Sequence, residues 1–384
     1  MRKTIVFLTD NIFLKKDFER FGINFLSKKF DVQIFNLSKL TNPFFFKNLK
    51  KLSDKKYKNF NIIESYEKFE KILSQKKYNF AYDFMGISED TWKIRNILRN
   101  KNILLIKNFS ADASIPKQIN KTLIKRIMDN FYPRKRLGGG IFRKFKNRLT
   151  LFNHKNFKWD LGVFFGDESF NETNKRKCKK YIKSHTFDFD KYIKLFRNKS
   201  KINKEYFVFI DNNIARHPDY KYHGTKPPVN EKKYLNDLIS FFNLIEKKTN
   251  IKIIIAANPK SKHKKGIFGG REILYNKTAE LIQNSNGVFL HNSTAVNFAI
   301  LFKKPLFFLT SDHIKESWLH EGINLMAKSL NKKIININLF ERDDKINFSI
   351  DYKAYQKFKT RYIKCLKTKN IFSWEILNKN LKVI

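Results

Sequence analysis

The residues with chemistry to offer come in short polar clusters, each placed directly after an apolar run. Asp10 and Asn11 follow the run at 4–8, and Asp83 opens Asp83-Phe84-Met85-Gly86 near the end of the run at 80–84. Asp211, Asn212 and Asn213 follow Phe207-Val208-Phe209-Ile210. Asn258-Pro259-Lys260-Ser261 follows the β-branched run at 251–257, and His291-Asn292-Ser293-Thr294 follows Gly287-Val288-Phe289-Leu290. A carboxylate can take a proton from a hydroxyl. Hydroxyls beside a helix start can hold an anion, because the first turn leaves backbone N–H groups unpaired and carries the positive end of the dipole. Ser293 and Thr294 are the sharpest instance, since the run 295–302 reads as a helix entered straight from a strand. His291, at the end of that strand, is placed to reach the same anion. Blander roles stand beside these: Ser293 as a plain cap, His291 as a hydrogen-bonded strand-end histidine, the aspartates as turn residues.

The elements that must position these clusters follow from the pattern. Short runs rich in Ile, Val and Phe, separated by segments of helical spacing, give a βαβ rhythm. The first half predicts strands at 4–8, 31–36, 80–84, 103–106 and 160–165, with helices at 15–29, 91–99 and 190–198. A lysine-rich linker, 198–205, separates it from a second domain that begins at Tyr206. There the pattern predicts a first strand at 207–210, a helix at 234–248 and strands at 251–257, 287–290 and 305–309. A helical segment at 275–282, a short late strand at 335–339 and helices at 352–369 and 373–381 complete it. The expected architecture is α/β with two Rossmann-like domains, 1–197 and 206–350, followed by C-terminal helices at 351–384. Doubly wound sheets bind ligands outside the carboxyl ends of their strands, so two such domains facing each other would line a cleft with the clusters named above. Arg271 and Lys277 would bring positive charge to a phosphate or an acidic sugar there, or else sit in surface ion pairs.

The block 258–310 resembles the donor-binding half of bacterial surface-polysaccharide glycosyltransferases with two facing Rossmann-like domains, the GT-B type. The matching phrases are Asn258-Pro259-Lys260-Ser261, Phe268-Gly269-Gly270-Arg271, Tyr275-Asn276-Lys277-Thr278, His291-Asn292-Ser293-Thr294-Ala295 and the helix exit Phe302-Lys303-Lys304-Pro305. Their order and spacing are also similar to the bacterial sialyltransferases and related transferases of CMP-activated acidic sugars, which carry a His-Pro motif and a later Ser/Thr motif. In that family the motif histidine acts as general acid toward the donor phosphate and the Ser/Thr pair holds that phosphate. Here Asn258-Pro259 stands where the family has His-Pro, so the acid is missing at that position and His291 is the substitute the resemblance leaves. Weaker echoes cover 207–213 with His217-Pro218-Asp219, and 184–192. The resemblance also implies that the C-terminal helices pack back across the hinge between the domains.

Composition sets bounds on this reading. The chain has 384 residues, 42% of them hydrophobic with 40 Phe, ample for two ordinary cores. No apolar run approaches the about 18 residues of a membrane span, and the apolar start before Asp10 reads as a strand and not a leader. Cys178 and Cys365 lie far apart with no partner pattern, which indicates neither a disulfide framework nor zinc. Cytoplasmic residence is the resulting expectation. The formal charge of +44, from 79 Lys and Arg against 35 Asp and Glu, attracts polyanions. Lys, Asn, Ile, Phe and Tyr are all abundant, a bias that A/T-rich codons produce, and no base-reading motif is present, so nucleic acid is not the expected partner. The segment 134–148 interleaves basic residues with Leu137, Ile141, Phe142 and Phe145, which suits an anionic membrane surface or simply a solvated loop.

Together these features predict inverting, metal-independent sugar transfer from a nucleotide-activated donor to an oligosaccharide or lipid-linked acceptor, with no cofactor. Asp83 is the first candidate for the base, Asp10 the second and Asp211 the third. Donor-binding residues are Asp211, Asn212, Asn213, Asn258, Lys260, Ser261, Arg271, Lys277, Ser293 and Thr294, with His291 at the leaving group. Asp188-Phe189-Asp190 lies beside the linker, outside the setting of a donor-bound metal. Two rival readings are a pyruvyl transferase using phosphoenolpyruvate and a non-catalytic polyanion-binding protein.

Overall fold

The computed structural model describes residues 2–11, 13, 15–43, 46, 57, 59–114, 156–197, 205–217, 220 and 226–381. The chain divides into two compact units: Met1–Ser110 with Leu137–Phe187 and Lys364–Ile384, and Ala111–Arg136 with Asp188–Ile363. Most of the linker at 198–205 and all of the basic segment 134–148 lie outside the described residues.

The first unit holds seven strands: β1 (Thr4–Thr9), β2 (Asp31–Asn36), β3 (Phe60–Ile62), β4 (Phe80–Asp83), β5 (Leu104–Ser110), β6 (Trp159–Phe165) and β7 (Cys178–Ser184). They form one sheet in the order β3-β2-β1-β4-β5-β6-β7, and every pairing is parallel. All six residues of β1 are buried, as a strand covered on both faces requires. Its side chains alternate between two cores. Ile5 and Phe7 join Phe21, Trp374 and Leu377 on one face, while Val6 and Leu8 join Phe69, Ile94 and Leu98 on the other.

The second unit holds six strands: β8 (Tyr206–Ile210), β9 (Lys252–Ala257), β10 (Ile273–Tyr275), β11 (Gly287–Leu290), β12 (Leu306–Thr310) and β13 (Ile334–Asn336). Their order is β10-β9-β8-β11-β12-β13, again entirely parallel. The long helix Glu231–Thr249 buries Tyr234, Leu238, Phe241, Phe242 and Ile245, a single stripe at helical spacing. It ends at Asn250, whose left-handed φ of 56° makes the cap.

Several expected elements differ. The helix expected at 15–29 is two short helices, Lys15–Arg20 and Ile23–Leu26, broken at Gly22. Gly22 has φ +58°, and a Cβ there would stand 2.2 Å from the Trp374 indole, so the break makes room for the C-terminal helix Ser373–Leu381. That helix belongs to the first unit, with Trp374 Nε1 donating to the Arg20 carbonyl at 3.2 Å. The helix Phe187–Arg197, expected to close the first domain, lies almost wholly in the second unit. Asn297 Nδ2 donates to Asp188 Oδ2 at 2.8 Å, and Lys191 pairs with Glu280 at 2.7 Å. The pattern does not predict strands β3, β7 and β10. The segment at 275–282 starts as the end of β10 and turns helical only at Thr278, and the helix expected at 352–369 keeps α geometry only to Phe358. Cys178 and Cys365 are buried free thiols. Among the described residues no helix is long and apolar enough to cross a membrane.

Candidate functional site

Each sheet has one place where chain connections diverge to opposite sides, between β1 and β4 in the first and between β8 and β11 in the second. At such a switch point the loops leave a crevice at the carboxyl edge of the sheet.

In the second unit that edge is dense with polar side chains held in fixed positions. Asp211, directly after β8, is nearly buried. Its Oδ1 accepts from the Asn213 amide at 2.7 Å, and its Oδ2 accepts from the Asn258 amide at 3.5 Å and pairs with His263 Nε2 at 2.7 Å. Asn213 adopts φ 53°, the left-handed turn that asparagine tolerates. Asn212 reaches across the switch point, its Nδ2 donating to the Asn292 carbonyl, and its Oδ1 is sealed from solvent without a partner. Leaving such an acceptor unmet costs about 1–3 kcal/mol. Asn258 shapes the β9 exit: its Oδ1 accepts from the Lys260 amide at 2.9 Å, and its carbonyl accepts the Ser261 hydroxyl at 2.7 Å. The Asn292 side chain occupies space left by Gly322, where a Cβ would stand 2.5 Å from Nδ2.

Ser293 and Thr294 form a turn ahead of the helix Val296–Leu301, so the helix begins later than the sequence suggests. Ser293 is half-buried, and its Oγ accepts from the Ala295 amide at 3.2 Å; Thr294 is exposed. The carbonyls of Ser293 and Thr294 take the amides of Val296 and Asn297. Among the described residues, the amides of Ser293 and Thr294 themselves donate to no protein acceptor.

His291 and Arg271 do not open onto this edge, which corrects two expectations. His291 is fully buried, with Nδ1 at 2.8 Å from the Leu309 carbonyl and Nε2 at 2.8 Å from the Tyr234 hydroxyl. A carbonyl only accepts, so Nδ1 carries the hydrogen and Nε2 accepts from Tyr234. Burial pushes the imidazole down to about 4, against the opposing pull of the Leu309 bond and of Asp211, so it is neutral and structural. Arg271 is 5% exposed and is spent on Glu246 at 2.8 Å, Asn243 at 2.8 Å and the Phe268 carbonyl at 3.1 Å. Lys277 is exposed at the exit of the edge strand β10, two strands away from β8. His217 is described, while Pro218 and Asp219 lie outside the described residues. His263 escaped the sequence reading altogether, because its partner is 52 residues away and no motif contains it.

In the first unit the switch point brings together Asp10 and the turn at Gly86, whose amide donates to Asp10 Oδ2 at 2.7 Å. Burial raises the Asp10 carboxyl above the ordinary aspartate range, and the Gly86 bond opposes this. Asp83, expected to be the base, is instead a locked internal anion. It is fully buried and bound by Arg95 Nε at 2.8 Å, Trp159 Nε1 at 2.9 Å and the Met85 amide at 2.9 Å, with Lys107 at 3.6 Å. Burial alone would raise it, but Lys107 and Arg95 win and hold it at about 2. A group that acidic is a poor proton acceptor. Asn11 is exposed beside Asp10, its amide donating to Thr9 Oγ1 at 3.2 Å.

No protein-family model matches the sequence, and no curated protein matches it. Solved structures do match. The S. aureus MnaA–UDP co-structure aligns over 100% of this chain and 98% of that one at 10% identity and a TM-score of 0.51. The calicheamicin glycosyltransferase CalG4 aligns over 93% of this chain and 92% of its own at 8% identity and a TM-score of 0.50. The fold is GT-B. At these identities the likeness establishes two Rossmann-like domains of that type and nothing about substrate.

Proposed function

We propose that the chain is a glycosyltransferase that moves a sugar from a nucleotide-activated donor to a cell-surface glycan. The observation that carries the reading is the carboxyl edge of the second sheet. Asp211, Asn212, Asn258, Ser261, His263, Asn292 and Ser293 gather there, with the Ser293 and Thr294 amides committed to no protein acceptor among the described residues. An anion takes such amides readily. The donor phosphate binds at Ser293 and Thr294, with Lys260 and Lys277 adding positive charge; Arg271 has no part in it.

On the acceptor side, Asp10 is the base. Its half-buried carboxylate titrates above the ordinary aspartate value, which makes it a better proton acceptor than Asp83. The transfer is inverting and metal-independent in this reading. Phosphodiester donors, with a CMP-linked acidic sugar first, follow from the resemblance of 258–310 to CMP-sugar transferases. The UDP in the MnaA co-structure keeps UDP-sugars as the second class. The acceptor is an oligosaccharide or lipid-linked glycan, reached from an anionic membrane surface through 134–148.

Thermal-shift and calorimetric titration with CMP, UDP, GDP and their sugars test the reading, and stabilisation by none of them would end it. Ser293→Ala combined with Thr294→Ala weakens nucleotide binding by about 1–3 kcal/mol. Unchanged affinity would remove the two hydroxyls from the site and leave the phosphate to the backbone amides alone. Asp10→Asn leaves the nucleotide Kd intact and abolishes transfer.

A further inference from the structure

Among the described residues, the strongest unassigned chemistry is the pair formed by Asp211 and His263. The two side chains are only 5% and 6% exposed and meet at 2.7 Å between Oδ2 and Nε2. An ionised carboxylate can only accept, so opposite it Nε2 carries a hydrogen in both the neutral and the protonated imidazole. The tautomer is thereby fixed, and Nδ1 becomes the nitrogen that gains and loses a proton. Among the described residues Nδ1 meets no protein partner, and it is not among the sealed unpaired atoms.

The ring is clamped as well as oriented. Phe268 packs edge-on at 5.1 Å between centroids, Tyr275 stacks at 6.4 Å, and the His263 amide donates to the Tyr275 hydroxyl at 3.0 Å. Asp211 is itself pinned by the Asn213 and Asn258 amides, so the pair is rigidly tied to the exits of β8 and β9. A purely structural histidine in this protein looks different: His291 spends both ring nitrogens on protein groups. Arg271, the arginine that sequence spacing would send to this edge, is consumed by Glu246. An anion arriving here therefore finds an oriented imidazole with one open nitrogen.

We infer that His263, oriented by Asp211, binds the phosphate of the nucleotide as an imidazolium through Nδ1–H, so that nucleotide binding takes up a proton. The inference rests on the nucleotide-binding reading of this edge. No covalent step is involved: solvent supplies the proton, Nδ1 holds it against a phosphate oxygen, and Nε2–H stays on Asp211. The other titratable or charged groups around the pair are Tyr275 and the chain neighbours Lys260, Lys262 and Lys264, with Tyr234 and His291 within electrostatic reach of Asp211. Of these, His291 is committed on both nitrogens, and burial raises the Tyr234 hydroxyl further above its ordinary range.

The test uses the full-length protein and two probes, the phosphate methyl esters of CMP and UMP, which keep a single negative charge across the range; cytidine and uridine serve as phosphate-free controls. Affinity is measured by calorimetry between about pH 5 and 8. The expected result is a fall of up to about tenfold per pH unit as the imidazole gives up its proton, with proton uptake shown by buffers of different ionisation heat. The nucleosides show neither effect, and His263→Gln binds the esters weakly with a flat profile. Binding of the esters with no proton uptake by the wild type, or the same slope in wild type and His263→Gln, overturns the inference and leaves the nucleotide reading standing. Failure of any nucleotide to bind the wild type overturns both. The proton-uptake measurement needs no variant, so it decides the matter even where His263→Gln does not fold.

Discussion

The buried imidazole of His291 makes a quantitative prediction about acid stability. Its value in the folded protein is about 4, against 6.5 for the free group, and burial is the main cause. Between those two pH values the unfolded chain binds the proton that the folded chain refuses, so stability rises with pH across that window. The contribution is intact above 6.5 and is lost progressively as pH falls toward 4. At about 1.4 kcal/mol per pH unit the loss amounts to about 3 kcal/mol. His291→Gln removes the titration while keeping the geometry, since a glutamine amide can donate to the Leu309 carbonyl and accept from Tyr234. The replacement costs a packing penalty that does not vary with pH. The informative quantity is therefore the difference between the two stability profiles. His185 in the first unit is likewise held at about 4, chiefly by burial, but it is common to both proteins and cancels in that difference. Hydrogen exchange at the amides of β8, β11 and β12 reports on the second unit alone, measured from neutral pH down to the onset of global unfolding. The wild type should lose about 3 kcal/mol more than the variant across the window. Parallel profiles would show that His291 titrates normally, and the neutral, doubly bonded imidazole described above would be wrong.

Two further substitutions probe how the first unit holds its edge. Asp83→Asn leaves the fully buried Arg95 and the nearby Lys107 without their counter-ion, so it should destabilise the protein by about 3–5 kcal/mol in denaturant titration; a loss below about 1 kcal/mol would mean that the pair is dispensable. Gly22→Ala combines a left-handed backbone with a side chain driven into the Trp374 indole, together worth about 3 kcal/mol, and should shift the tryptophan emission as Trp374 is expelled.

What could be read from the sequence, and what could not, has a common physical basis. Strands covered on both faces announce themselves as continuous apolar runs, which is why β1, β8, β9 and β11 were found close to their true limits. The edge strand β7 is mostly exposed and carries three lysines, a composition that protects an edge and erases the apolar signal; β3 is three half-buried residues. The observed strand order then singles out the loops after β1, β4, β8 and β11, because the switch point is a property of topology. Which polar residue in those loops remains open is another matter, decided by partners that sequence proximity does not reveal. Asp10 and Asp83 show this at a single register step. Asp83 pairs with Leu8 in the sheet, so Asp10 lies two residues further out along the same direction. The inner carboxylate cannot stay charged in the core without cations, and Arg95 and Lys107 supply them at the cost of its basicity. The outer one loses water by burial, which outweighs the Gly86 amide, its own amide and the distant pull of Lys107, and it keeps a raised pKa. The same reasoning separates His291, immediately after β11 and sealed by Tyr234 and Leu309, from His263, which stands well beyond the end of β9 and returns to meet Asp211 with one nitrogen left over. In both comparisons the residue closest to the strand end is spent on scaffold partners, and the proposed chemistry uses the one further out.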